Sequence, residues 1–406
     1  MFELIATATF GLEAVVRREI EDLGYEIIKT EDGKVTFAGD ERALVRSNLW
    51  LRCADRVLLK ACEFEALEFE DLFQGIKSYS WESLIPADGK FTVTCSTIKS
   101  KLHNPPAIQS VSKKAVVERM SSAYGIERFA ETGAEYTIKV TMLKDRATVT
   151  VDSSGTGLHK RGYRVANVDA PMKETLAAAL VKLSFFRPGR VLVDPCCGSG
   201  TIPIEAAMIA MNIAPGLNRT FACEDWSIIP REVWKEERKA AFEAISQSGA
   251  SASTDSIVPA GQLGNAPRIF GGDIEPVAVE AARANAREAG VDGCIAFARA
   301  DVRDLEDLVK AVKPAVTSKP GAKGGDVRGI IVTNPPYGER IGINDEIDRI
   351  FKSLGKFCKK HPDWSLFIIT PDKDAEKKIM GRRADRRRKL YNGNIETTYY
   401  QFHGAK

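Results

Sequence analysis

Two short runs in the second half of the chain carry residue types at spacings that could do chemistry. The first is Asp194-Pro195-Cys196-Cys197-Gly198-Ser199-Gly200-Thr201, which follows the apolar run 190–193 and opens the apolar run 202–207. Glycines at 198 and 200 let backbone approach a ligand where a side chain would block it, and Asp194 supplies a carboxylate suited to a cationic ammonium group. The second run is Asn334-Pro335-Pro336-Tyr337, after the apolar stretch 330–333. An exocyclic base amine is a poor nucleophile because its lone pair is delocalised into the ring. Accepting its two N–H hydrogens on the Asn334 side-chain oxygen and the Pro335 carbonyl localises that pair towards an electrophilic methyl group. The two prolines stiffen the turn, and Tyr337 offers an aromatic face to an extruded base.

Between these runs lie two more acids, each after a strand-like stretch. Asp273, with Glu275 as second choice, is placed to accept the hydroxyls of a ribose, and Asp301 to accept a hydrogen from an adenine amino group. Taken singly, each acid could be a helix N-cap and the glycine run an ordinary strand-to-helix turn. Three strand-terminal acids in successive units after a glycine turn favour a nucleoside cofactor carrying a methyl group. A phosphate-cradling loop is disfavoured, since neither a P-loop ending nor GxGxxG is present. The expected cofactor contacts are Asp194, Pro195, Gly198, Ser199, Gly200, Asp273, Ile274, Asp301, Val302 and Asn334; the expected catalytic residues are Asn334, Pro335 and Tyr337. Transfer would be a direct displacement governed by proximity and orientation, so Cys196 and Cys197 are read as packing residues rather than nucleophiles. Eight cysteines without CxxC pairs, beside four histidines, show no zinc spacing, and no metal is expected.

The elements that must position these residues follow from hydrophobic periodicity. From residue 171 onward strands and helices alternate: 171–183 helix, 190–193 strand, 202–211 helix, 269–272 strand, 276–289 helix, 294–299 strand, 305–312 helix, 330–333 strand, 345–360 helix and 365–370 strand. That pattern predicts an α/β fold with a mostly parallel sheet, ligands binding at the carboxyl ends of its strands, and a final antiparallel hairpin over 389–391 and 397–402. Upstream, 1–55 reads as a small α+β unit and 56–155 as a second, ending at the polar stretch 152–157; the catalytic part is 156–406. The stretches 246–267 and 313–326 read as surface loops or insertions.

With 44% hydrophobic and 28% charged residues over 406 positions, the composition is that of a soluble multidomain protein, not a membrane or disordered chain. No basic, apolar leader opens it, so a cytoplasmic protein is expected. A net charge of +3 does not by itself show nucleic-acid binding. Any such surface must be local: Lys99, Lys101, Lys113, Lys114 and Arg119 cluster around a predicted long helix, though from the residues alone a solvated helix face is the favoured account of such a cluster. A denser run, Arg382, Arg383, Arg386, Arg387, Arg388 and Lys389, precedes the hairpin and could grip phosphate. His103 and His159 are isolated.

At 194–201 and 334–337 the chain resembles the class I S-adenosylmethionine-dependent methyltransferases. Leu158-His159-Lys160-Arg161-Gly162-Tyr163-Arg164, Ala170-Pro171-Met172-Lys173-Glu174-Thr175-Leu176 and Ala214-Pro215-Gly216-Leu217 are similar to the THUMP-containing guanine-N2 methyltransferases of 23S ribosomal RNA. The resemblance covers nearly the whole chain. It implies a ferredoxin-like unit, a THUMP RNA-binding domain whose RNA surface includes Lys99, Lys101, Lys113 and Lys114, and a Rossmann-like catalytic domain using S-adenosylmethionine. Members of the group can carry a second methyltransferase domain; ending at Lys406, this chain is expected to hold the first activity. Some of the group are named adenine-specific DNA methylases, and the Asn-Pro-Pro-Tyr run alone leaves guanine and adenine, RNA and DNA, open, as well as a non-catalytic assembly factor.

Overall fold

The computed structural model describes residues 1–166, 172–187, 190–247, 252–253, 256–257, 269–312, 329–337 and 343–405. The chain divides into two compact units, one of residues 1–8, 16–158 and 219–240 and the other of 9–15, 159–218 and 241–406.

The first unit is built from β1 (Phe2–Ala8), α1 (Glu13–Asp22), β2 (Ile27–Glu31), β3 (Lys34–Gly39), α2 (Glu41–Trp50), β4 (Ala54–Glu65), α3 (Phe69–Lys77), β5 (Lys90–Ile98), α4 (Pro105–Tyr124), β6 (Glu135–Leu143) and β7 (Arg146–Asp152). All seven strands form one sheet in the order β2-β3-β1-β4-β7-β6-β5. The segments read from sequence as two α+β units therefore share a sheet, because the 12-residue β4 is long enough to pair β1 on one edge and β7 on the other. Helix ends follow local chemistry: Asp40 caps α2 by accepting from the Ala43 amide at 2.8 Å, and Asn104 caps α4, which Gly125 ends in the left-handed region. Residues 219–240 return to this unit although they follow the cofactor-turn helix in sequence. Trp226, 1% exposed, stacks on Tyr136 with ring centroids 5.1 Å apart.

The second unit holds α5 (Glu174–Leu183), β8 (Val191–Asp194), α6 (Thr201–Ala210), β11 (Ile269–Asp273), α8 (Pro276–Glu288), β12 (Ile295–Arg299), α9 (Leu305–Val312), β13 (Gly329–Thr333), α10 (Ile343–Lys360), β14 (Ser365–Thr370), α11 (Ala375–Met380), β15 (Arg386–Asn392) and β16 (Ile395–Phe402). Helix α7 (Arg231–Gln247) precedes a two-residue pair, β9 (Ala252–Ser253) with β10 (Ser256–Ile257). That pair lies within 246–267, expected as a loop; most of that stretch and all of 313–326 lie outside the described residues, as does Pro171. Strand order in the main sheet is β12-β11-β8-β13-β14-β16-β15, with β8, β11, β12, β13 and β14 parallel and the last two strands antiparallel. Every residue of β8, β13 and β14 is buried, as expected for apolar strands covered on both faces.

From β8 the chain proceeds to β11 and β12 on one side, then to β13 and β14 on the other. The order thus reverses between β8 and β13, which opens a crevice at their carboxyl ends. Gly200, at φ +83°, starts α6 there. A Cβ on it would stand 2.9 Å from the Ala282 Cβ and 3.1 Å from the Phe297 ring, so backbone sign and packing both require glycine. Gly200→Ala is expected to destabilise the protein by about 1–3 kcal/mol, read as a lower denaturant midpoint with an unchanged slope.

Candidate active site

Asp194 closes β8 and is 1% exposed. Its Oδ1 accepts from the Thr333 hydroxyl of β13 at 2.8 Å and from the Cys196 amide at 3.2 Å. Burial pushes its carboxyl up to about 7; the Thr333 and Cys196 hydrogen bonds oppose that shift and the charge of Asp273 adds to it. The residue expected to meet an ammonium group is thus also the joint between the two strands at the switch point.

The turn that follows is held by its neighbours. The Cys197 amide donates to the Gly272 carbonyl at 2.8 Å, and the Gly198 amide to Asp273 Oδ2 at 2.8 Å. The second Asp273 oxygen accepts from the Glu275 amide at 3.0 Å. Asp273 therefore links the glycine turn to the loop after β11, its carboxylate only partly buried. The thiols of Cys196 and Cys197 are pushed well above their usual range by burial first and then by the Asp194 and Asp273 charges. Thiolates are disfavoured there, in keeping with packing rather than nucleophilic roles.

Asp301 sits after β12 and caps a short 3-10 turn, Val302–Asp304, by accepting from the Arg303 amide at 2.8 Å. The Arg303 guanidinium takes its other oxygen at 2.7 Å and holds the carboxyl below its usual range. The cap reading of Asp301 holds in the structure; an adenine amino group would have to share this acid with Arg303. Beyond β13, Asn334 Oδ1 is buried and has no hydrogen-bond partner among the described residues. Leaving a buried carbonyl oxygen unmet costs about 1–3 kcal/mol, and this one stands just past the carboxyl end of β13, where a ligand could satisfy it. Pro335 is buried and Pro336 exposed, while the Tyr337 hydroxyl accepts from the Asn392 side-chain amide at the end of β15. The Tyr337 ring is partly buried and packs against the core that contains Val302 and Phe351.

Three polar residues that the sequence reading did not single out support this site. Arg164 reaches Glu174, Ser199 and Thr201; Asn285 of α8 reaches residues 165, 166 and 199; and the buried Glu205 of α6 accepts from the Tyr163 hydroxyl at 3.0 Å. The available signal was a lone Asn in an alanine-rich helix and a lone Glu in an apolar one.

The cations are placed unequally. Lys99, Lys101, Lys113 and Lys114 are exposed, with the last two over the Phe91 and Phe73 rings at 5.9 and 5.7 Å. Arg119 is instead engaged by Glu82, at 3.0 Å from Nε, and leaves the expected cluster. In the arginine-rich run Arg382 pairs with Asp385, Arg387 with Glu376 and Lys389 with Glu396, and Arg388 donates to the Gly11 carbonyl. Arg383 and Arg386 are exposed and form no ion pair among the described residues.

The positive-φ glycines 198 and 200, with the part-buried Asp273 bonded to the Gly198 amide at the carboxyl ends of β8 and β11, fit a nucleoside cofactor. Gly198, Gly200, Asp273 and Asp301 would hold it, and when bound it supplies the methyl group as an electrophile. Fold and site together define an S-adenosylmethionine-dependent methyltransferase. Residues 161–401 match the RMKL-like methyltransferase domain, 3–58 the RlmL ferredoxin-like domain and 66–152 the THUMP domain, and the chain belongs to this RMKL-like methyltransferase family. It is 43% identical over 403 residues to the Bacillus subtilis (strain 168) protein named "Putative RNA methyltransferase YpsC", covering 99% of this chain and 96% of that one. Among solved structures it is similar to a Listeria monocytogenes str. 4b F2365 protein described as a predicted N6-adenine-specific DNA methylase, with 41% identity, a TM-score of 0.85 and coverage of 100% and 96% of the two chains. It is also similar to SMU.472, described as "a putative methyltransferase complexed with SAH", with 39% identity, a TM-score of 0.85 and coverage of 100% and 98%.

The Asp194 carboxyl gives a pH test with a definite sign. Its folded value near 7 lies above the unfolded value of about 4, so its stabilising contribution is complete below pH 4 and is lost as pH rises towards 7. Thermal melts of the cofactor-free protein should show a midpoint that falls between pH 4 and 7 more steeply than in Asp194→Asn. Parallel profiles for the two proteins would remove Asp194 as the source.

Proposed function

We propose that the protein transfers a methyl group to the exocyclic N2 of a guanine in RNA, with 23S ribosomal RNA as the substrate. The observation that carries the acceptor chemistry is the buried, open Oδ1 of Asn334 at the end of β13, beside a proline whose carbonyl can take the second amine hydrogen. Asn334 and Pro335 orient the amine, and Tyr337, braced by Asn392, supports the base plane. Desolvation by the buried strand ends strengthens each of these contacts.

Support for RNA comes from the first unit. Its THUMP match spans 66–152, it presents Lys99, Lys101, Lys113 and Lys114 to solvent, and YpsC carries an RNA methyltransferase name. Guanine N2 rests on the resemblance of the 158–164, 170–176 and 214–217 segments. The DNA methylase description of the Listeria protein marks the competing acceptor, an adenine N6, which the same Asn-Pro-Pro-Tyr geometry could hold. No described helix is long and apolar enough to cross a membrane.

Incubation of the protein with labelled S-adenosylmethionine and separate ribosomal RNA, transfer RNA and DNA, followed by mass spectrometry of the nucleosides, should yield N2-methylguanine from ribosomal RNA. Label in N6-methyladenine would overturn the guanine assignment. Asn334→Ala should lose transfer by at least about a hundredfold while keeping SAH affinity; retained turnover removes Asn334 from the mechanism. Lys113→Glu combined with Lys114→Glu should weaken RNA binding and lower its log–log salt slope by about two. An unchanged slope would move the RNA surface elsewhere.

A further inference from the structure

Asn285 lies in the last turn of the alanine-rich helix α8 and is 1% exposed. Its Oδ1 accepts from the Val165 and Ala166 amides, both at 3.0 Å, and its Nδ2 donates to the Ala166 carbonyl at 3.0 Å and to the Ser199 carbonyl at 3.1 Å. An asparagine side chain has two acceptor and two donor positions, and here all four are used. A small apolar residue would fill the same helix position without desolvating an amide, so a residue chosen for packing alone would not be polar.

Arg164, next in line, bonds the same turn from its other side. Its Nε donates to Glu174 Oε1 at 2.8 Å, one terminal nitrogen to Ser199 Oγ at 3.1 Å, and the other to Thr201 Oγ1 at 3.1 Å and the Met172 carbonyl at 2.9 Å. Ser199 and Thr201 flank Gly200, and Gly198 and Gly200 both have positive φ. Two such glycines give the unbound turn wide conformational freedom, which outside bonds must remove if the turn is to present one shape to a ligand.

We propose that Asn285 and Arg164 are positioning residues for the cofactor: they clasp the 164–166 segment to Ser199 and Thr201, so that seating of this segment and occupation of the glycine turn favour each other. The inference rests on the glycine turn as the cofactor site and is independent of which base is methylated. Because coupling between two events is reciprocal, SAH must stabilise the clasp as much as the clasp strengthens SAH binding.

The test is amide hydrogen exchange of the full-length protein with and without SAH, paired with calorimetric SAH titration of Asn285→Ala and Arg164→Lys. Exchange of the Val165 and Ala166 amides should slow by about tenfold or more on adding SAH. The SAH dissociation constant should rise about tenfold in each variant, while affinity for ribosomal RNA changes less than about twofold. Exchange that ignores SAH in the wild-type protein would overturn the proposal, as would variants that melt earlier yet bind SAH normally. Should Asn285→Ala fail to fold, the wild-type exchange and Arg164→Lys decide the question alone. A protein that binds SAH with the predicted coupling but methylates a base other than guanine keeps this inference and loses the acceptor assignment; one that fails to bind SAH loses both the cofactor site and the clasp.

Discussion

One hydrogen bond joins the two strand ends on which the catalytic unit depends: Thr333 to the buried carboxylate of Asp194, at 2.8 Å. β8 and β13 lie side by side, paired over 191–193 and 329–331, but the chain leaves them in opposite directions, which opens the crevice at their carboxyl ends. Burial pushes the Asp194 carboxyl up and the Asp273 charge adds to that, while the hydrogen-bond donors brought to it oppose the shift. The Cys196 amide does so from the turn and Thr333 from the neighbouring strand. The glycine turn, the acid after β11 and the Asn-Pro-Pro-Tyr turn inherit their positions from this arrangement.

The parts legible in the sequence are those whose burial is uniform or whose chemistry is local. β8, β13 and β14 are buried along their whole length and apolar except at their ends, because both faces are covered, and the apolar centres of runs such as 330–333 and 365–370 announce that directly. The glycine turn and the Asn-Pro-Pro-Tyr turn are contiguous, so their chemistry could be read before any contact was known. α7 was not readable in this way. Its buried side is only Trp234, Glu237, Ala241 and Ile245, a narrow stripe broken by an acid, in a helix otherwise dominated by charge. Asn285 and Arg164 escaped for another reason: their meaning lies in partners up to 120 positions away.

Charge was readable as a count but not as a pairing. Arg119 and most of the 382–389 run looked equivalent to the lysines around α4, yet they are engaged by carboxylates or a carbonyl, whereas Lys99, Lys101, Lys113 and Lys114 stay exposed. Surface ion pairs contribute little to stability, but each occupied guanidinium is less available to phosphate. Asp301 shows the same effect in reverse, since its own neighbour Arg303 claims the acid that the sequence offered to a ligand.

The central claim is that Asn334 Oδ1 waits for a hydrogen of an exocyclic base amine. The most direct measurement is a crystal structure of the protein with SAH and a short RNA containing the methylated nucleotide. The target base should be extruded beside Tyr337, with its exocyclic nitrogen about 3 Å from Asn334 Oδ1 and within reach of the Pro335 carbonyl. A base bound with a ring carbon or a ribose oxygen facing the SAH sulfur, and Asn334 bonded elsewhere, would contradict it.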